Sequence, residues 1–196
     1  SVSERRQVVT VFIDGKGHQL RSVADIMGTV NQLLVSLQST RTQLDRKLLR
    51  LTTLELDNYV TLSDISQTIY LFEVLMTASE ELGNLLLQLG SEGKTIAMQR
   101  EEFIGGMDEE YTLLVRDYAA DSSEENAAGV RRRLHETVNA QLRSSKRIAS
   151  ILGYEDKGED SVMTPLGLRT LSGISVVREG MADKIVDEFG SLQQLL

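Results

Sequence analysis

Arg131, Arg132, Arg133, Arg143, Lys146 and Arg147 put six positive charges between positions 131 and 147, against one acid, Glu136. Arginine can bridge two phosphate oxygens with parallel N–H donors, so the stretch reads as a phosphate-contacting face. The other reading is a solvated helix face whose charges pair with acidic neighbours. Asp108-Glu109-Glu110 could serve metal or acid–base chemistry, but acids in the first turn of a helix favour its macrodipole, and capping is the preferred reading. Gly90-Ser91-Glu92-Gly93-Lys94-Thr95 has the look of a phosphate loop, yet that loop needs four residues between its glycines and a preceding strand. Here there are two, after a helical pattern, and a turn is expected. His18 and His135 are far apart in sequence, without companions that suggest catalysis or a metal, and both read as surface or partner-facing. Cys 0 removes thiol chemistry, disulfides and cysteine-bound metal. The five tyrosines are too scattered for a base-stacking platform.

A chain of 196 residues can bury roughly 70% of the surface its unfolded form exposes, enough for a core without staples. With 41% hydrophobic and 26% charged residues the composition is globular, and one proline with 5% aromatics points to helices. A net charge of -8 means that any nucleic-acid contact would be local. The longest uncharged helical run, residues 82–91, is about half of a membrane span, and no signal peptide is visible. The expected location is the cytoplasm, with no membrane partner.

The elements follow from periodicity. Residues 7–13 are rich in β-branched side chains and lead into Asp14-Gly15-Lys16-Gly17, which predicts a short β-hairpin over 1–22. Two strands are marginal alone, so this hairpin reads as the edge of a sheet whose other strands lie elsewhere. From 23 to about 55, Ile26, Val30, Leu33, Leu37, Leu44, Leu48 and Leu51 recur at helical spacing. Thr61-Leu62-Ser63-Asp64 signals the cap of a second long helix, with Ile65, Ile69, Phe72, Met76, Leu82, Leu86 and Leu89 inward and Gly90 as its stop. Shorter helices are expected over 94–104 and 108–118, with the bundle continued over 124–152. The polar stretch 153–164 is the predicted connector between a helical linker domain, 23–152, and a C-terminal unit, 165–196, of three short helices. The fold class is mainly α: an elongated helical bundle.

The segment 174–192 resembles a helix-hairpin-helix module. Ile174, Val177, Ala182, Ile185, Val186, Phe189, Gly190, Ser191 and Leu192 match its pattern, while Val176 and Arg178 stand where it has glycines. Those glycines let backbone N–H groups close on a DNA phosphate, so this partial module reads as structural, with a weakened grip.

The whole chain is similar to the C-terminal part of the DNA-integrity-scanning diadenylate cyclase family. The similarity rests on Asn31-Gln32, Leu54-Glu55, Val60-Thr61, Asp64, Glu81, Leu89-Gly90, Glu92-Gly93, Leu114-Val115, Asp117-Tyr118, Ile151-Leu152-Gly153-Tyr154 and the Phe189 region. The resemblance implies a parent with a cyclase head that joins two ATP into cyclic di-AMP with Mg or Mn, a helical linker, and a tandem helix-hairpin-helix tail for branched DNA. The head's Asp-Gly-Ala and Arg-His-Arg motifs do not occur in these residues. The chain therefore reads as a non-enzymatic spacer and homo-oligomerisation segment that needs no cofactor of its own. The alternative is an autonomous DNA-binding module using the 131–147 stretch with Arg178 and Lys184.

Overall fold

The computed structural model describes residues 23–178 and 180–196. The expected hairpin over 1–22, with His18, lies outside the described residues.

Two long helices frame the molecule. Helix α1 (Val23–Leu56) has 34 residues, about 50 Å at 1.5 Å per residue. The expected stripe is observed: Ile26, Val30, Leu37, Leu44, Leu48 and Leu51 are buried, with Leu33 half-buried beside them. After a short turn, α2 (Leu62–Leu89) runs back along α1. Its start carries the predicted capping box, in which the Thr61 hydroxyl accepts from the Asp64 amide and the Asp64 carboxylate from the Thr61 amide. Its end is set by Gly90 at φ +57°, where the chain turns through 90–93 as a single 3₁₀ turn.

Helix α3 (Lys94–Ile104) buries no residue fully; Ile96, Ala97, Phe103 and Ile104 pack half-buried against the core, and polar bonds add to this. Arg41 of α1 donates to the Phe103 carbonyl at 2.7 Å, and Arg100 donates to the Ser79 carbonyl of α2 at 2.7 Å. Helix α4 (Met107–Tyr118) returns to the core with Met107, Tyr111, Leu114, Val115 and Tyr118 buried. The Tyr111 ring stacks on Phe72 of α2, centroids 4.6 Å apart and planes 3° apart.

The stretch expected to continue the bundle, 124–152, is three helices, α5 (Glu124–Glu136), α6 (Asn139–Leu142) and α7 (Ser145–Leu152). Thr137 and Val138 take extended backbone, which ends α5; the chain leaves α helix again at Ser144.

The stretch 153–164 is held against α2. Thr61 and Val162 form an isolated antiparallel bridge, and the carbonyls of Ser161 and Glu159 accept from the amides of Leu62 and Ser63. Those amides belong to the first turn of α2 and have no partner within the helix, so the returning chain completes its cap.

The C-terminal unit comprises α8 (Leu168–Ser172), α9 (Met181–Phe189) and α10 (Leu192–Leu195). Of the three short helices expected over 165–196, the first begins only at Leu168. Gly167 takes φ +102°, and a Cβ there would lie 2.9 Å from Leu192 Cβ, so α10 seats directly on the turn that opens α8.

Candidate functional site

Where the C-terminal helices meet the bundle, the contact is polar and buried. Glu55 sits one step beyond Leu44, Leu48 and Leu51 on the inward stripe of α1, and its side chain is 0% exposed. One carboxylate oxygen accepts from the Tyr118 hydroxyl of α4 at 2.8 Å. The other accepts from Arg169 Nη2 at 2.6 Å and from the Thr170 hydroxyl at 2.9 Å, both on α8. The Arg169 guanidinium also reaches Thr52 of α1 at 2.9 Å and Glu110 of α4 at 3.2 Å. The Glu55 carbonyl accepts from Gln193 of α10 at 3.4 Å.

Asp117 supplies the second half of this junction. Its Oδ1 accepts from the amides of Gly167 and Leu168 at 3.0 and 2.7 Å, and its Oδ2 from the Arg169 amide at 3.0 Å. A carboxylate on α4 thus caps the start of α8 from another element. Beside it, Arg116 ties α4 to Asp183 of α9 at 2.6 Å.

Burial pushes the Asp117 carboxyl up to about 7, against the pull of the amides it accepts from. Burial also favours loss of the Arg169 proton, but Glu55 and Glu110 outweigh it and hold the guanidinium charged. Burial, with Glu55 beside it, pushes the Tyr118 hydroxyl far up, so it stays a neutral donor. What such an arrangement does is fix direction: removing one member leaves a buried charge or donor without its partner.

A second polar cluster joins α2, α4 and α5. The Tyr111 hydroxyl donates to buried Glu73 at 2.6 Å, and the two ring nitrogens of His135 lie 3.3 Å from Glu73 and 3.1 Å from Glu80. His135, expected at the surface, is 47% exposed and bound within the chain.

The residues predicted to contact phosphate fall into separate groups. Arg131 is half-buried, lies 4.7 Å over the Tyr111 ring and pairs with Asp108 at 2.7 Å. That hydrogen bond holds the Asp108 carboxyl below the usual range. Arg132, Lys146 and Arg147 are exposed and, among the described residues, have no ion-pair partner. Arg133 is exposed and donates to the Ile151 carbonyl at the end of α7; Arg143 donates to the Tyr70 hydroxyl of α2 at 3.3 Å. Arg178 lies in the turn before α9, and Lys184 is exposed on α9. Among the described residues, Arg131 is the one of the six with an acidic partner.

The junction was missed by motif reading. Its signal was present as a charge inside an apolar period: Glu55 follows Leu51 by four, and Asp117 follows Leu114 by three. Among the described residues, no group of three His, Asp or Glu is arranged to hold a metal ion, and no helix is long and apolar enough to cross a membrane.

Comparison with known proteins places this geometry in a family. The proteins named DNA integrity scanning protein DisA from Streptomyces avermitilis and Carboxydothermus hydrogenoformans are 31% and 30% identical over the whole chain, which covers 54% and 56% of their lengths. The protein of the same name from Fusobacterium nucleatum is 32% identical, with 56% of its length covered. The chain thus spans about half the length of the curated relatives it matches. The family described as the DisA bacterial checkpoint controller linker region matches residues 20–161, and the chain belongs to that family.

Proposed function

We propose that this chain is the helical spacer and oligomerisation segment of a DNA-scanning diadenylate cyclase, coupling a head that forms cyclic di-AMP to a DNA-binding tail. The observation that carries the coupling is the reach of α1. One uninterrupted helix begins at Val23 and ends with Glu55 in the grip of Arg169 and Thr170. A helix is stiff along its axis, so a change of tail direction would be felt at its far end. Such coupling requires two states that differ in DNA affinity, with the junction strained or re-paired in one of them. The experiment uses the whole protein: Glu55→Gln should reduce the effect of branched DNA on cyclic di-AMP synthesis, with the basal rate and DNA affinity kept. An unchanged DNA effect would refute the coupling.

The 196 residues alone are expected to form no cyclic di-AMP from ATP with Mg²⁺ or Mn²⁺. Product above a no-protein control would contradict this.

A second reading, an autonomous DNA-binding module, is favoured by one observation: Arg132, Lys146 and Arg147 are exposed, with no acidic partner among the described residues. Phosphate contacts of this kind give affinity without sequence readout and fade with salt. Against it stand Val176 and Arg178 at the hairpin positions, where amide donors would need glycine. We expect no specific binding of branched DNA by this chain at physiological salt. Tight binding abolished by Arg132→Ala with Lys146→Ala would favour the module instead.

A further inference from the structure

The geometry points to a phosphate-binding cleft between α2 and the start of α7, away from the junction. The cleft, about 130 Å³, is lined by Ser66, Gln67, Tyr70, Leu142, Arg143 and Ser145. That is room for one tetrahedral oxyanion. Among the described residues, no acid lines it.

Three observations converge on an anion. Ser66, which lines the cleft, is 3% exposed, and among the described residues its hydroxyl has no hydrogen-bond partner. A buried hydroxyl without a partner costs stability unless something supplies the missing bond. Next, α7 opens at the cleft without a side-chain cap: Ser144 makes none, and the amides of Ser145 and Lys146 have no acceptor. The positive end of the helix macrodipole and two free donors are thus aimed outward together. Third, Arg143 is held at the rim by donating Nε to the Tyr70 hydroxyl, which leaves its Nη groups free and the Tyr70 proton available to donate.

Together they supply a guanidinium, a helix N-terminus, a phenol and a serine hydroxyl around a space of the right size, with no compensating acid. A phosphate group satisfies all of them. Its source is either the phosphodiester backbone of a nucleic acid or the phosphate of a small molecule.

The test is a titration of the ¹⁵N-labelled chain, followed at the amides of Ser145 and Lys146, at constant ionic strength. Inorganic phosphate should produce saturable shifts there, and chloride should not. Arg143→Gln should weaken the apparent affinity about tenfold, since it removes a charge-assisted donor. Ser145→Pro should weaken it as well, because proline at the first helical position removes one N–H while keeping the helix. Unchanged thermal unfolding of both variants guards against a folding effect. A DNA duplex without terminal phosphates that shifts the same amides identifies a backbone source; thymidine monophosphate acting alone identifies a small phosphorylated ligand. No saturation with any of the three, shifts reproduced by chloride, or full affinity in Arg143→Gln would overturn the site.

Discussion

The bundle and the C-terminal helices are held by different physics. Among the described residues, the cluster built by α1, α2, α4, α5, α6, α7 and their connections contains thirty buried hydrophobic residues, from Ile26 to Met163. The cluster under α8 and α9 contains three, Leu168, Leu171 and Ala182. Apolar burial is non-directional and tolerant of repacking, so the bundle is stable without depending on any one pair. The tail lacks that reserve. Its attachment rests on Glu55, Asp117 and Arg169, whose geometry admits one arrangement and fails sharply when a member is lost. The contrast suits a spacer whose body must persist while the direction of its tail is specified.

The sharpest way to break the contrast is to remove the cation. Arg169→Ala leaves Glu55 and Glu110 without their partner, and the docking of α8–α10 should weaken by about 3–5 kcal/mol. Hydrogen exchange would show amides of α8 and α9 losing protection while those of α1 and α2 keep theirs. Leu37→Ala, deep in the bundle, should cost about 2–5 kcal/mol, but through cooperative unfolding seen by circular dichroism in all helices together.

Asp117 sharpens the comparison through pH. Its acid is raised to about 7 in the folded chain, against about 3.9 unfolded. Between those values the folded state binds more protons than the unfolded one. Stability of the tail should therefore fall as pH rises from about 4 to about 7, and level off above. Asp117→Asn should remove that slope, measured as the pH dependence of exchange at α8. The smallest effect belongs to the surface: Arg132→Ala should change stability by no more than about 0.5 kcal/mol in a denaturant titration.

The bundle was legible because its apolar residues repeat every three or four positions over long stretches. The stop at Gly90, the capping box at Thr61 and the bounds of 94–104 came from local chemistry that sequence carries directly. The breaks inside 124–152 were not legible, since Thr137 and Val138 are tolerated in helices and only tertiary context ends α5 there. The junction failed for a different reason. Glu55 and Arg169 lie 114 positions apart, and periodicity reports which face is buried without saying what waits there. A charge within an apolar stripe was the available clue. The 131–147 stretch shows the converse: charge count was plain, but which of its members were already engaged depended on Tyr111, Asp108 and Tyr70 from other helices.

The central claim, that buried polar bonds fix the tail on the linker, is tested most directly by a distance across the joint. The chain has no cysteine, so Arg46→Cys with Lys184→Cys, both exposed positions, gives two spin labels without background. Pulsed electron resonance should return one narrow distance distribution between α1 and α9, broadened to many distances when Arg169→Ala is added. A broad distribution with Arg169 in place, or a narrow one unchanged by its loss, would contradict the account.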